Sequence, residues 1–415
     1  MTANSSISTI YPSIDKMVAE FALAWRESPE EADLGLAGDN AQHAIQESQL
    51  DDFLGRALEE LHHPPSTPDG YSNLQSRMLL ELARLGRVSF DLTPGHLEAL
   101  LRRGLPQSLV HFVKLARRDQ RISDDEIFQA SRNVAVANIL QLMLDQPCEA
   151  TPALFAYSML YPYTDNYLDN TGIPMETKLA FNALLGCRLA GEKVKPCNRH
   201  EKAIFDLIGI IEGEIGRASM PRTYESLNAI HKAQSKSLEL AVIKSPEEDH
   251  VLKVSIEKGG TSVLANGYLV ADNELTPRQV RFMFGLGVFL QMVDDLQDLK
   301  DDRKSGNTTI FTMATANKLA LESLTNRAIS FGTFVMTFLD AFPAPNTNPI
   351  KEVMQLSVAK LIIGAVSLNQ QYFRAEYLRN LEAHSPFRFS YLKRVKARLK
   401  QQKVSMTTLL NYMLT

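Results

Sequence analysis

The chain has 415 residues, 45% of them hydrophobic, and a formal net charge of −4. That much apolar material can fill a large core, and the slight acidity gives no reason to expect a nucleic-acid partner. Cys148, Cys187 and Cys197 are an odd set without metal-ligand spacing, which suits a reducing compartment better than a disulfide framework.

Helical periodicity dominates from the start, and no run of strands stands out. Residues 14–26 read as an amphipathic helix, and 28–52, acidic and weakly periodic, as a loop. His62-His-Pro-Pro-Ser-Thr-Pro-Asp-Gly70 is a breaker, and adjacent histidines beside prolines are loop residues rather than zinc ligands. Helices are then expected over 72–85, 96–103, 108–118, 124–144, 152–169, 175–190, 200–215 and 223–243. Further ones follow over 247–271, 277–300, 318–342, 349–382 and 387–414. Ser123-Asp-Asp-Glu126 and Thr276-Pro277 are good helix starts, by side-chain capping and by proline in the first turn. Gly259 and Gly260 are expected to interrupt the 247–271 helix and free backbone carbonyls. The simplest architecture is an all-α bundle over 123–415, preceded by a helical extension with mobile loops over 1–122. The first residues show no basic segment followed by an apolar run, and no stretch reaches the roughly 20 apolar residues of a spanning helix. A cytoplasmic protein without stable membrane insertion is therefore expected.

The most informative segment is Gln291-Met-Val-Asp294-Asp295-Leu-Gln-Asp298-Leu-Lys-Asp301-Asp302. Asp294, Asp298 and Asp302 recur every four residues, which would line them along one helical face. The run before them contains Phe282, Met283, Phe284, Leu286, Val288 and Phe289, so that helix should be interior. Buried carboxylates that repel one another are costly unless a cation joins them. A hard divalent ion such as Mg²⁺ takes carboxylate oxygens and keeps positions for a phosphate. Asp165 and Asp169 repeat the spacing after an apolar stretch. Such a pair alone is ordinarily a solvated face, and only the two clusters together argue for a metal-diphosphate site. Two such helices facing one another would enclose an apolar pocket with metal at its mouth.

Gly287-x-x-x-Gln291-x-x-Asp294-Asp295-x-x-Asp298 resembles the second aspartate-rich motif of class I isoprenoid synthases, and Asp165-Asn166-x-x-Asp169 the first, with Asn in place of the usual second Asp. The Asp298–Asp302 spacing, followed by Arg303 and Lys304, is similar to the squalene and phytoene synthase branch. So is Arg222-Thr-Tyr224-Glu225-Ser-Leu227. Tyr167-Leu168-Asp169-Asn170 is similar to the first motif of bacterial large-terpene synthases. The resemblance covers roughly residues 127–414; the earlier part of the chain matches nothing recognisable.

The resemblance implies a class I terpenoid synthase-like helical bundle around a central cavity. It implies Mg²⁺ ions, three of them in the family, held by Asp165, Asp169, Asp294, Asp295, Asp298 and Asp302. Arg222, ranked ahead of Arg217 and Lys232, together with Lys258, Lys304 and Arg374, would bind diphosphate. A helix kink at Gly259 and Gly260 would aim a carbonyl at the forming cation. Phe155, Tyr157, Tyr161, Phe289 and Gln291 would line the cavity, with Phe181, Tyr268 and Phe284 as further aromatics, although an aromatic at helical spacing is more often plain core.

The stretch after the first motif, Asn170 to Lys178, lacks the arginine pair with which chain-elongating synthases hold a second diphosphate. With Asn166, this favours a single-substrate cyclase. The expected activity is ionisation of a linear prenyl diphosphate, farnesyl diphosphate first, and closure to a sesquiterpene hydrocarbon, a macrocycle such as humulene being one guess. The alternatives are a prenyltransferase, chain-elongating or of the head-to-head squalene and phytoene type, and a noncatalytic helical partner with a degraded site. Monomer and homodimer both remain open.

Overall fold

The computed structural model describes residues 13–35, 37–63, 77, 84, 86–87, 89–170, 172–240, 243 and 245–402. Among them every regular element is helical and no strand occurs, so the fold class is all-α. In chain order the helices begin α1 (Ile14–Glu27), α2 (Asn40–His62), α3 (Pro94–Arg102), α4 (Leu105–Ala116), α5 (Asp124–Met143) and α6 (Pro152–Asp169). They continue α7 (Met175–Leu189), α8 (Arg199–Glu214), α9 (Pro221–Leu240), α10 (Glu248–Val270), α11 (Pro277–Gln297) and α12 (Leu299–Ser305). The last are α13 (Ile310–Ala314), α14 (Lys318–Met336), α15 (Asn348–Leu368), α16 (Ala375–Ala383) and α17 (Phe389–Gln401). None is long and apolar enough to cross a membrane. The expected helix over 72–85, apart from residues 77 and 84, and the end of the one over 387–414 lie outside the described residues.

The chain divides into two compact units. One comprises Met1–Asp33, Asn170–Pro343 and Gly364–Arg374; the other comprises Leu34–Asp169, Ala344–Ile363 and Ala375–Thr415. The expected boundary near residue 122 does not coincide with this division.

In the first unit, α11 is apolar on nearly every side and buries Phe282, Met283, Phe284, Val288, Phe289 and Met292. It runs beside α10 at backbone contact: a Cβ on Gly259 would collide with the Gly287 carbonyl, and one on Gly287 with the Gly259 carbonyl. Gly260 lies under the Phe284 ring, and Gly267 under the Met283 sulfur. These glycines therefore permit helix packing. The expected break is absent, and α10 continues through Gly259 and Gly260. A glycine pair disfavours an isolated helix by about 1 kcal/mol per residue, but close packing between two buried helices outweighs that cost. The amino-terminal helix belongs to this core too, which is why it does not behave as an extension. Phe21 packs on Phe284 at 5.4 Å between ring centroids, and Trp25 on Phe331 at 5.7 Å.

In the second unit, α2 occupies much of what the sequence suggests is loop. Asp39 caps it by accepting from the Gln42 amide at 2.7 Å. Its inward face runs His43, Gln46, Glu47, Leu50, Phe53, Leu54, Ala57 and Leu58, a helical stripe whose first turn is polar. His43 and Glu47 can be buried there because the segment between α16 and α17 supplies partners. His43 Nε2 bonds the Ser385 carbonyl at 2.9 Å, and Arg388 Nε donates to Glu47 at 2.8 Å. Elsewhere in this unit α5 lies against α6, starting from the expected Ser123 and Glu126 capping box.

The sequence suggests a single helix over 349–382; the chain instead leaves α15 at Asn369, makes a short 3₁₀ turn (Gln370–Tyr372) and restarts at α16. Asn369, fully buried, explains the interruption. Its amide donates to the carbonyls of Leu296 and Gln297 at 2.8 and 2.9 Å, closing the end of α11.

Candidate functional site

The acidic end of α11 is built on Asp295, only 6% exposed. Gln291, one turn earlier, donates to its carboxylate at 2.7 Å, and Ser255 of α10 donates from its hydroxyl at 3.3 Å. Burial pushes the Asp295 carboxyl up to about 7; the Gln291 bond and the charge of Lys258 oppose the rise, while Asp294 and Asp302 add to it. Asp294, Asp295, Asp302 and Lys258 thus share one electrostatic neighbourhood. Beside it Glu257, buried, takes the Lys236 ammonium on both oxygens at 2.7 and 2.6 Å.

The expected single face of Asp294, Asp298 and Asp302 does not form as one straight helix. α11 stops at Gln297, Asp298 sits at φ −90° and ψ 4°, and α12 begins beyond it. Asp298 is exposed, and Asp302 accepts from the Asn307 side chain at 3.0 Å. The cause is the Asn369 amide, which occupies the carbonyls that a continuing helix would need.

Mg²⁺ fits this end in donor chemistry: the groups are hard carboxylate oxygens whose repulsion a divalent cation would relieve. Among the described residues, however, no three Asp, Glu, His or Cys side chains are gathered into a metal-holding group.

The residues expected to bind diphosphate are dispersed. Arg222 pairs with Glu274 at 3.5 Å, and Thr223 beside it donates to the Tyr268 carbonyl at 3.4 Å. Tyr268 and Ser255 are about 20 Å apart along α10 at 1.5 Å per residue, so Arg222 stands at the far end from Asp295. Arg217 is held by Glu212 at 2.9 Å and stacks on Tyr224 at 4.1 Å. Arg374 grips buried Glu322 through Nε at 2.7 Å, a bond that ties the 364–374 segment to α14. Lys304 is exposed in the last turn of α12, and it is Arg303 that lies over the Tyr372 ring, at 5.4 Å. Of the four, Lys258 acts on Asp295 through its charge, and Lys304 follows Asp302 by two residues on α12.

In the second unit, α6 carries the other acidic element. Asp165 is 6% exposed; Asp169 ends the helix, and its side chain lies outside the described residues. Asn166 Nδ2 donates to Glu126 Oε1 at 3.1 Å and to Gln129 Oε1 at 3.3 Å, both on α5. Tyr163 donates its hydroxyl to Asp119 at 2.5 Å. Arg121, bonded to Asp119 at 2.7 Å, holds that carboxyl down to about 2 and lies 5.5 Å from the Tyr163 ring.

The expected cavity aromatics are mostly core. Tyr157, Phe181, Tyr268, Phe284 and Phe289 are buried, Phe155 packs on Phe112 at 5.6 Å, and Tyr161 is 37% exposed. A cavity of about 1000 Å³ in the second unit, lined by Gln42, Phe53, Arg56 and Asp91 among others, includes none of the expected site residues. Sequence reasoning missed Ser255, Lys236, Glu257 and Asn369. Ser255 lies one helical turn from Lys258 and Gly259 and was within reach of that pattern; Asn369 had no local signal. No known protein family matches the chain, and neither a curated protein nor a solved structure matches it.

Proposed function

We propose that the chain is a class I terpene cyclase, a cytoplasmic enzyme that ionises a linear prenyl diphosphate, farnesyl diphosphate first, and closes it to a sesquiterpene hydrocarbon with release of diphosphate. The observation that carries the reading is the acidic end of α11, where buried Asp295, held by Gln291 and Ser255, shares one neighbourhood with Asp294, Asp302 and Lys258. Asp294, Asp295 and Asp302 would hold Mg²⁺ there, and Asp165, Asp169 and Asp298 are the further candidate ligands. Bound metal would supply the Lewis acidity that makes diphosphate a leaving group. Gln291 and Ser255 fix the orientation of the Asp295 carboxylate, and Lys258 presents a positive charge to an anionic head group. The Gly259–Gly287 contact keeps solvent from between α10 and α11.

The test is direct. Purified protein with farnesyl diphosphate and Mg²⁺ should release a volatile hydrocarbon detectable by gas chromatography. Silence with the geranyl, farnesyl, geranylgeranyl and geranylfarnesyl diphosphates would end the cyclase reading. Asp294→Ala and Asp165→Ala should each abolish turnover while the helical circular-dichroism signal persists; activity retained in both would overturn the ligand assignment.

A further inference from the structure

We infer that Asn166 is a positioning residue whose amide fixes the rotation of α6 against α5, so that an aspartate there is incompatible with this chain's own α5. The inference rests on the proposed function and refines which side chains of the first acidic element serve it. Both oxygens of Glu126 are already committed as acceptors. Oε2 takes the Ser123 amide at 2.7 Å and the Ser123 hydroxyl at 2.8 Å, and Oε1 takes the Asn166 amide at 3.1 Å. Gln129 Oε1 is the second acceptor, at 3.3 Å. A glutamine can turn its amide over, but a carboxylate cannot become a donor, so position 166 must donate. Aspartate at that point would set a second carboxylate within hydrogen-bond distance of the first in a half-buried site.

The anchoring extends over nearly one turn of α6. Tyr163 lies three residues before Asn166 on the same flank and bonds Asp119, which Arg121 holds in turn. Asp165 is turned about 100° from Asn166 around the helix. Fixing one flank therefore sets the direction of the other. The position that resembles a lost ligand is a fastening, and the noncatalytic reading loses its one support.

The experiment is a double-mutant cycle with Asn166→Asp, Glu126→Gln and the pair. In the double variant a glutamine amide can donate to the new aspartate, restoring the hydrogen bond with reversed polarity. Asn166→Asp alone should lower the thermal midpoint by about 3 °C or more, and the double variant should recover most of that loss. With farnesyl diphosphate, the Mg²⁺ concentration for half-maximal rate should rise about tenfold in the single variant and return in the double. A fully stable Asn166→Asp with a lowered Mg²⁺ requirement would overturn the inference, since that is how a vestigial ligand position behaves. The melting cycle needs no substrate. Coupling without product from any variant would sink the proposed function and leave the anchoring standing; product without coupling would sink the anchoring alone.

Discussion

At its acidic end α11 rises from a stem seated by packing, with Gly287 against Gly259 and an apolar surface on nearly every side. The acidic end of α6 is seated by polar bonds, from Tyr163 to Asp119 and from Asn166 to Glu126 and Gln129. Packing tolerates no added volume but is indifferent to pH. Polar fastening tolerates volume better and fails when a donor or acceptor changes sign. On the first helix the rigid stem holds Asp295 out of water, and burial, with the charges of Asp294 and Asp302 adding to it, raises its carboxyl. On the second, orientation depends on matching the chemistry of single atoms.

The sharpest way to break this contrast is Gly287→Ala. The new methyl would meet backbone atoms of Gly259 and Gly260, which cannot turn aside. The loss should reach or exceed the upper end of the about 1–3 kcal/mol usual for overpacking, read by urea melting. Asp295→Asn comes next. A carboxyl whose folded pKa is raised from 3.8 to about 7 stabilises the fold below the unfolded value, and that stability is lost as pH rises through 7. Metal-free protein should therefore lose on the order of 2–4 kcal/mol between about pH 5 and about pH 8. Asp295→Asn should flatten that slope, and Mg²⁺ should raise the wild-type melting temperature at the alkaline end. Equal slopes in both proteins would show that the raised Asp295 carboxyl is not the source of the pH dependence. Asn369→Ala should cost about 2 kcal/mol, by uncapping α11 and opening a buried space, with faster amide exchange around Asp298 as its signature. The smallest effect expected is that of Tyr163→Phe, about 1 kcal/mol at neutral pH. Asp119 would lose a bond but keep Arg121, so the acid limb of the stability curve, which falls as pH drops toward 2, should shift only slightly upward.

Most helices were legible because apolar positions recur with helical period and caps flank them, as with Ser123 before α5 and Thr276 before α11. α2 escaped because its buried face opens with His43, Gln46 and Glu47, and the partners that make His43 and Glu47 fit for burial lie more than 300 residues away, at Ser385 and Arg388. At Gly259 and Gly260 local propensity pointed to a break, and packing against α11 decided otherwise. That Asp294, Asp295 and Asp302 stand close together could be read from the sequence, whereas the approach of Lys258, on α10, depends on how two helices pack. The location of Arg222 could not be read either, since it depends on which end of α10 faces the start of α9. The bend at Asp298 was equally hidden: it is imposed by an asparagine far along the chain.

That asparagine has a consequence for synthesis. Asn369 follows the Leu296 carbonyl it caps by 73 residues. At about 5–20 residues per second, a ribosome takes several seconds to reach it. During that interval the nascent α10–α11 pair can already zip together, while the aspartate terminus waits for its clasp. A polypeptide stalled before residue 369 should show protected α10 and α11 amides with rapid exchange confined to the stretch after Leu296.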